Sequence, residues 1–314
     1  MLRDTIFYRS NNYRVEIAEM NQIIAINDPR IHSIVADDAK LEQLTSGAKH
    51  TEGPLYLPDD DSVIFSDVSG DRLYRWSDDG VSIIRQASYY YHNGNALDPQ
   101  GRIVSCSHGK RAIVRREHNG EWKIICDRYQ NNRLNSPNDL VVKSDGTIWF
   151  TDPPFGLTQP DEGCGGQQEQ AGSFVYCFDP QTGQIDAVIK EMERPNGLAF
   201  SPDETVLYVS DTSQVDYVQG HHNIRAYDLV DNQQVTNSRV FVEIEPGQPD
   251  GLKVDKQGNI FTSSADSVQI YSPQGDRLGK IFVPEVVSNL TFGGRDGKRL
   301  YITAGGSLYA MNLL

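Results

Sequence analysis

The sequence predicts an all-β fold, a six-bladed β-propeller, and three observations favour it. One unit recurs six times along the chain. The 27 Gly and 15 Pro residues are spread over the 314 positions, as is typical of many short strands joined by turns. No long segment has the 3.6-residue period of an amphipathic helix. Units of four strands that repeat about every 40 to 50 residues are the signature of a propeller.

Each unit begins with an oxygen-bearing side chain, followed by an apolar run, a turn rich in Asp, Pro or Gly, and a second β-rich run. The clearest copies are residues 138–152, 196–211 and 250–262. Successive units begin 41, 45, 58, 54 and 39 residues apart. We call the first residues of the six units the head residues; they are Glu52, Asn93, Asn138, Asn196, Asp250 and Asn289.

Two units are longer than the others, and the surplus predicts loops. In the third unit it falls in residues 152–172, a stretch rich in Gly, Gln and Pro that we expect to lie over one end of the ring. In the fourth unit it falls in residues 211–223. Residues 1–45 are predicted to form an N-terminal extension with a strand that closes the ring. Residues 46–314 are predicted to form a single propeller domain, since no change of composition divides them.

The acidic composition restricts the classes of partner. The formal net charge is −14, whereas nucleic acids and anionic membranes bind basic surfaces. No apolar run approaches the roughly 18 residues of a membrane-spanning helix, and the first residues lack the apolar core of a signal peptide. We therefore expect a cytoplasmic monomer or small homo-oligomer with a small-molecule partner, and neither a nucleic-acid nor a membrane partner.

The four cysteines do not predict a disulfide framework in a chain of this length, and no two form a C-x-x-C pair. Cys106 and Cys177 lie in strand-like runs, and Cys164 lies in a Gly-rich segment that we expect to be exposed. This cysteine usage favours a reducing compartment.

The head residues predict a cation site. The innermost strands of a propeller line its central channel, so equivalent positions converge on one axis. All six heads carry a carbonyl or carboxylate oxygen, and a buried polar group without a partner costs about 1–3 kcal/mol. A hard divalent ion, Ca²⁺ in the first place, takes about six to eight oxygen ligands. The alternative, that Asn-Gly and Asp-Gly are ordinary turns, accounts for Asn196 and Asp250 but not for Glu52 or Asn138.

Several motifs resemble the gluconolactonase/regucalcin (senescence marker protein) family. They are residues 51–54 (TEGP), 135–139 (NSPND), 194–203 (RPNGLAFSPD) and 249–251 (PDG); residues 151–156 (TDPPFG) are similar to its bacterial gluconolactonase branch. The resemblance covers roughly residues 45–314. It implies a six-bladed propeller with a catalytic divalent metal whose ligands are Glu52, Asn138, Asn196 and Asp250. Relatives can carry a basic side chain at the position of Ser136, so substrate preference need not be shared.

We accordingly expect a metal-dependent hydrolase that opens a sugar lactone. The ion polarises the carbonyl, and Asp250 takes a proton from the attacking water. The candidate substrate-binding residues are His92, Asn138, Asp152 and Phe155. Zn²⁺, Mn²⁺ and Mg²⁺ are alternatives to Ca²⁺, and the roles of Asn93 and Asn289 are left open.

Two other functions are compatible with the sequence. The same metal site could cleave an ester or a phosphotriester, or the propeller could be a non-catalytic module that binds protein or peptide. No G-x-S-x-G motif is present, which argues against a serine hydrolase. His92 could equally be an ordinary loop histidine.

Overall fold

The structure is a computed structural model that describes residues 23–86, 88–231 and 233–314. Residues 1–22 of the predicted N-terminal extension lie outside the described residues. The described chain forms six antiparallel sheets of four or five strands, one for each sequence unit. The innermost strand of each sheet contacts that of the next, and the sixth contacts the first. The prediction of a six-bladed propeller is confirmed.

The strands are as follows. Before the first blade lie β1 (Ile24–Ile26) and β2 (Glu42–Thr45), separated by a 3₁₀ turn at Pro29–Ser33. Blade 1 contains β3 (Thr51–Leu57), β4 (Ser62–Asp67), β5 (Arg72–Ser77) and β6 (Gly80–Arg85). Blade 2 contains β7 (His92–Leu97), β8 (Ile103–Ser107), β9 (Ala112–Arg116) and β10 (Trp122–Cys126), followed by a small hairpin of β11 (Arg128–Tyr129) and β12 (Asn132–Arg133).

The second half of the ring continues in the same way. Blade 3 contains β13 (Leu140–Val142), β14 (Ile148–Asp152), the helix α1 (Phe155–Thr158), β15 (Phe174–Phe178) and β16 (Ile185–Ile189). Blade 4 contains β17 (Pro195–Phe200), β18 (Val206–Asp211), a 3₁₀ turn at Ser213–Val215, β19 (Asn223–Val230) and β20 (Gln234–Glu243). Blade 5 contains β21 (Leu252–Val254), β22 (Ile260–Ser263), β23 (Ser267–Tyr271) and β24 (Arg277–Phe282), and blade 6 contains β25 (Val287–Gly293), β26 (Arg299–Ala304) and β27 (Ser307–Asn312).

The two strands that precede blade 1 complete the last two blades. Strand β2 pairs antiparallel with β27, with Glu42 opposite Ala310, and so becomes the outer strand of blade 6. Strand β1 pairs with β24, with Ile24 opposite Ile281, and adds a fifth strand to blade 5. The ring is therefore closed by hydrogen bonds between the beginning and the end of the propeller sequence.

The second strand of each blade is buried on both faces because each blade lies between two others. All five residues of β14 are buried. Trp149 packs in a cluster with Leu198 and Leu207 of blade 4, whereas Ile148 packs with Ile113 of blade 2. Alternate residues of a strand point to opposite faces, so this packing requires consecutive apolar residues, as in Ile148, Trp149 and Phe150.

Hydroxyl groups tie one blade to the next near the head residues. Ser66 Oγ of blade 1 donates to the backbone carbonyl of Asn93 (2.7 Å). Thr151 Oγ1 of blade 3 donates to the carbonyl of Asn196 (2.7 Å), and Ser210 Oγ of blade 4 to that of Asp250 (2.6 Å). The hydroxyl in each case lies near the end of a second strand, so the pattern fixes the head backbone of the following blade.

The glycines after the head residues serve close packing between inner strands and not hairpin turns. A Cβ atom on Gly251 would lie 2.1 Å from Asn289 Cγ. Gly53 has φ +51°, and a Cβ there would lie 2.1 Å from the backbone oxygen of Asn93. A larger residue at either position would push neighbouring blades apart.

Both long loops emerge at the end of the ring that carries the head residues. The blade 3 loop, residues 153–173, follows β14, whose Thr151 exchanges backbone hydrogen bonds with Asn138 and Asp139. The blade 4 loop, residues 212–222, follows β18, whose Asp211 lies opposite Pro195. Among the described residues, no helix is long and apolar enough to cross a membrane.

The inter-blade hydroxyls predict a measurable loss of stability. Thr151 is fully buried and its hydroxyl also accepts from the Asp139 N–H (3.1 Å). Thr151→Val keeps the shape but leaves a carbonyl and an amide unpaired, so we expect a loss of about 1–3 kcal/mol in the free energy of unfolding. Calorimetry on this variant and on Thr182→Val, an exposed turn position, checks this. Equal melting temperatures for the two variants would contradict it.

Candidate functional site

The head residues meet at one end of the channel. Five of them are buried, and Asp250 keeps partial exposure. The Nδ2 amide of Asn289 in blade 6 donates to Glu52 Oε2 of blade 1 (3.0 Å) and to Asp139 Oδ2, next to the blade 3 head (3.2 Å). One side chain thus bridges carboxylates from blades 1 and 3, which are not neighbours in the ring.

Three of the four side chains that the family resemblance implies as metal ligands have no protein partner. Within the described part of the chain, no residue hydrogen-bonds the side-chain amide of Asn138, that of Asn196 or the carboxylate of Asp250. The fourth, Glu52, accepts from the Gly53 N–H (2.6 Å) and from Asn289. None of these side-chain atoms is among the fully buried atoms without a partner, so the unpaired oxygen atoms are open to an additional positively charged partner.

The electrostatics of Glu52 and Asp250 also favour a positively charged partner. Burial and the neighbouring Asp139 carboxylate raise the pKa of Glu52 to about 7, although His50 lowers it. Asp250 lies deep enough that burial, reinforced by the charge of Glu52, raises its pKa well above the usual value. Carboxylates whose charged forms are destabilised in this way favour a bound cation.

Only some of the predicted metal-ligand side chains are charged. Across the described ranges, no group of three or more His, Cys, Asp and Glu side chains has an arrangement that could hold a metal ion. The predicted set contains two carboxylates, Glu52 and Asp250, and the amide oxygens of Asn138 and Asn196. Oxygen ligands without sulfur or imidazole fit a hard ion such as Ca²⁺ or Mg²⁺.

The structure gives contacts for the two head residues whose roles the sequence left open. Asn289 donates to the carboxylates of Glu52 and Asp139, as described above. Asn93 Nδ2 lies 3.1 Å from His108 Nε2, and its Oδ1 is buried with no partner among the described residues. Asn93 therefore also presents a free acceptor near the axis.

Sequence reasoning missed three residues at the channel mouth. Glu162 of the blade 3 loop accepts from His50 Nδ1 through its carboxylate (3.1 Å), and its backbone carbonyl lies 2.9 Å from His108 Nδ1. Although burial opposes it, the Glu162 carboxylate raises the pKa of His50 to about 9. The position of His50 two residues before a head was the only available signal.

Two of the predicted substrate-binding residues, Asp152 and Phe155, are buried. Asp152 is fully buried and its Oδ2 accepts from the Asn135 N–H (2.8 Å), so it holds the segment that precedes Asn138. Phe155 begins α1 and is also buried. The next residue, Gly156, donates its N–H to Ser136 Oγ (2.9 Å).

His92 lies within a packed aromatic group. Its ring is buried, 4.5 Å from that of Trp122 and 5.2 Å from that of Tyr90 between centroids. Nδ1 lies 2.9 Å from Ser105 Oγ. Burial, and to a lesser extent Arg85, lowers the pKa of His92 to about 3. This environment favours packing by a neutral imidazole.

Comparisons with known proteins identify the family and the fold. A family model described as the SMP-30/Gluconolactonase/LRE-like region matches residues 50–306. A curated gluconolactonase of Zymomonas mobilis is 33% identical over 300 residues, which cover 88% of this chain and 82% of that protein. The solved structure of a gluconolactonase from Xanthomonas campestris has 38% identity and a TM-score of 0.86, covering 93% of this chain and 94% of its own. The resemblance predicted from the motifs is confirmed.

A more distant solved structure has the same fold. The calcium-binding protein regucalcin of Agrobacterium tumefaciens gives a TM-score of 0.71 at 17% identity. The match covers 87% of this chain and 93% of that one.

The buried Asp152 predicts a pH-dependent stability. Burial raises its pKa to about 7 from an ordinary value of 3.8, although hydrogen bonds from Asn135 and Ser136 and the charge of Arg111 oppose this. Its stabilising contribution is therefore present below about pH 4 and is lost as the pH rises through about 7. Asp152→Asn mimics the neutral form. The melting temperature of this variant minus that of the wild type should therefore increase as the pH rises from 5 to 8.

Differential scanning fluorimetry across that range measures the effect, with Asp186→Asn, an exposed position in β16, as the control. One pKa unit corresponds to about 1.4 kcal/mol. A difference between Asp152→Asn and wild type that does not change with pH would contradict the raised pKa.

Proposed function

This chain belongs to the SMP-30/Gluconolactonase/LRE-like family and is a lactonase, and we propose that it opens a sugar lactone with the help of one divalent cation at the mouth of the channel. The observation that carries the proposal is that no described residue hydrogen-bonds the side-chain oxygens of Asn138, Asn196 and Asp250, which head three blades of the same ring as Glu52.

In the proposal, Glu52, Asn138, Asn196 and Asp250 hold the cation. A bound divalent ion supplies Lewis acidity, which polarises the lactone carbonyl and offsets the charge that develops on its oxygen. Asn289 fixes the orientation of the Glu52 carboxylate through its 3.0 Å hydrogen bond. The blade-to-blade hydrogen bonds keep the head backbone in place, so the ligand oxygens need little rearrangement.

Asp250 is the proposed proton acceptor. It is the head residue that remains partly exposed, and no described residue hydrogen-bonds its carboxylate, so a water molecule can reach it. The carboxylate takes a proton as the water oxygen bonds to the carbonyl carbon. The ring C–O bond then breaks, and the released oxygen takes up a proton to give the hydroxy acid.

We propose Ca²⁺ as the ion. The all-oxygen donor set suits a hard cation, and a structural neighbour is named as a calcium-binding protein. Mg²⁺, Mn²⁺ and Zn²⁺ are the alternatives that a metal titration distinguishes. The same titration on an aryl ester and a phosphotriester tests the two other bonds that such a site could cleave.

We also propose that the enzyme acts in the cytoplasm on a small molecule, as a monomer or small homo-oligomer. The net charge of −14 supports the proposal that neither nucleic acid nor an anionic membrane is a partner, because like charges repel. Of the three predicted substrate-contacting residues outside the ligand set, we retain Asp152 and Phe155 as parts of the pocket wall. His92 is retained as a support of that wall.

Removal of the metal should abolish activity reversibly. Treatment with EGTA and desalting should reduce gluconolactone hydrolysis to the uncatalysed rate, and added Ca²⁺ should restore it and raise the melting temperature. Ligands that bind only the native state stabilise it by mass action. Full activity of the chelated protein, shown by elemental analysis to contain no metal, would contradict a metal-dependent mechanism.

Neutral replacements at the two proposed carboxylate ligands test whether these residues bind the cation. Glu52→Gln and Asp250→Asn keep the shape of each side chain but remove one ligand charge. We expect kcat/KM for gluconolactone to fall by at least about 100-fold and the Ca²⁺-dependent rise in melting temperature to shrink. Glu243→Gln and Asp59→Asn, at exposed positions, are the matched controls. Wild-type kinetics in the Glu52 and Asp250 variants would exclude this site.

A further inference from the structure

The blade 3 loop is attached to the channel mouth at defined points. Gly156 donates its N–H to Ser136 Oγ, and the carbonyl of Glu162 contacts His108 Nδ1. A Cβ on Gly156 would lie 2.6 Å from His108 Cβ, so the loop approaches blade 2 as closely as a glycine permits. These contacts fix the position of Glu162.

The backbone of His50, the partner of the Glu162 carboxylate, is also held by hydrogen bonds. Its backbone N–H donates to Asp67 Oδ1 (3.1 Å) and its carbonyl accepts from the Val68 N–H (2.8 Å). It precedes Glu52 by two residues. His108, which contacts the Glu162 carbonyl, also lies 3.1 Å through its Nε2 from Nδ2 of the head residue Asn93. The pair therefore borders the proposed reaction site.

Each member of the pair keeps one polar atom free. His50 uses Nδ1 and Glu162 uses Oε1 for their mutual contact, while His50 Nε2 and Glu162 Oε2 have no partner among the described residues. Their side chains are 33% and 23% exposed, so both atoms are accessible to a small molecule. By contrast, His108 is buried and both of its ring nitrogens are engaged.

We propose that His50 and Glu162 form a hydroxyl-binding subsite that selects polyhydroxylated lactones over lactones without hydroxyl groups. A hydroxyl both donates and accepts, and the pair presents a carboxylate oxygen beside an imidazole nitrogen. A site built to bond a hydroxyl discriminates strongly against an analogue that lacks it. The inference rests on the proposed lactonase function and specifies its substrate class.

The test compares two lactones with the same six-membered ring. With the Ca²⁺-loaded full-length enzyme, Glu162→Ala should lower kcat/KM for glucono-δ-lactone by about 10- to 100-fold, mainly through KM, as expected for a lost hydrogen bond to a charged group. Its kcat/KM for δ-valerolactone should change by less than about threefold. Glu162→Gln keeps a hydrogen-bonding end and the same backbone contact to His108, so its loss should be smaller.

Asp161→Ala is the matched control, since Asp161 is the exposed neighbour in the same loop and is expected to behave as the wild type. If Glu162→Ala lowers kcat/KM equally for both lactones, Glu162 only docks the loop and the subsite is overturned.

A binding measurement separates this proposal from the lactonase proposal. Calorimetry with D-gluconate and with hexanoate, six-carbon acids that differ in hydroxyl groups, needs no turnover. Gluconate should bind the wild type at least about tenfold more tightly than Glu162→Ala, and hexanoate should bind both equally. Equal gluconate affinities, or none for either protein, overturn the subsite. A wild type that binds gluconate but hydrolyses neither lactone refutes the lactonase proposal alone.

Discussion

The structure depends on the confinement of oxygen-bearing side chains at one end of the ring axis. Carboxylates from different blades lie close together there: besides burial, the charge of Asp139 raises the pKa of Glu52, and that of Glu52 raises the pKa of Asp250. Asn289 donates to both Glu52 and Asp139. Hydroxyls and glycines between blades hold the backbone that carries these groups, so the groups cannot move apart to relieve their repulsion. A rigid ring therefore maintains an arrangement that a positive charge would stabilise.

The arrangement of blades could be predicted because its determinants are local and repeated. A head residue, an apolar run and a turn recur at intervals set by four short strands, and the position of the heads follows from the geometry of any propeller. Both insertions were also visible, because they lengthen two intervals. The end of the ring at which the two insertions emerge follows from the antiparallel order of the strands. Each insertion follows the second strand of its blade, and that strand ends beside a head residue.

The contacts at the mouth could not be predicted, because they join distant parts of the chain. His50 and Glu162 are 112 residues apart, and His108 and Glu162 are 54 apart. Neither pair recurs as a repeat. His92 and Asn93 illustrate a second limit: adjacent residues of a strand face opposite sides, and the sequence does not tell which faces the channel. The glycines after the heads resembled turn signals, although they serve close packing of inner strands.

The closure of blade 6 has a consequence for biosynthesis. Strand β2 comes from residues 42–45, but its partner β27 comes from residues 307–312. The N-terminal part leaves the ribosome first, so β2 has no partner until residues 307–312 have been translated. Unpaired strand edges invite association with other nascent chains. The four-residue length and polar sequence of β2, Glu-Gln-Leu-Thr, limit that hazard during the delay.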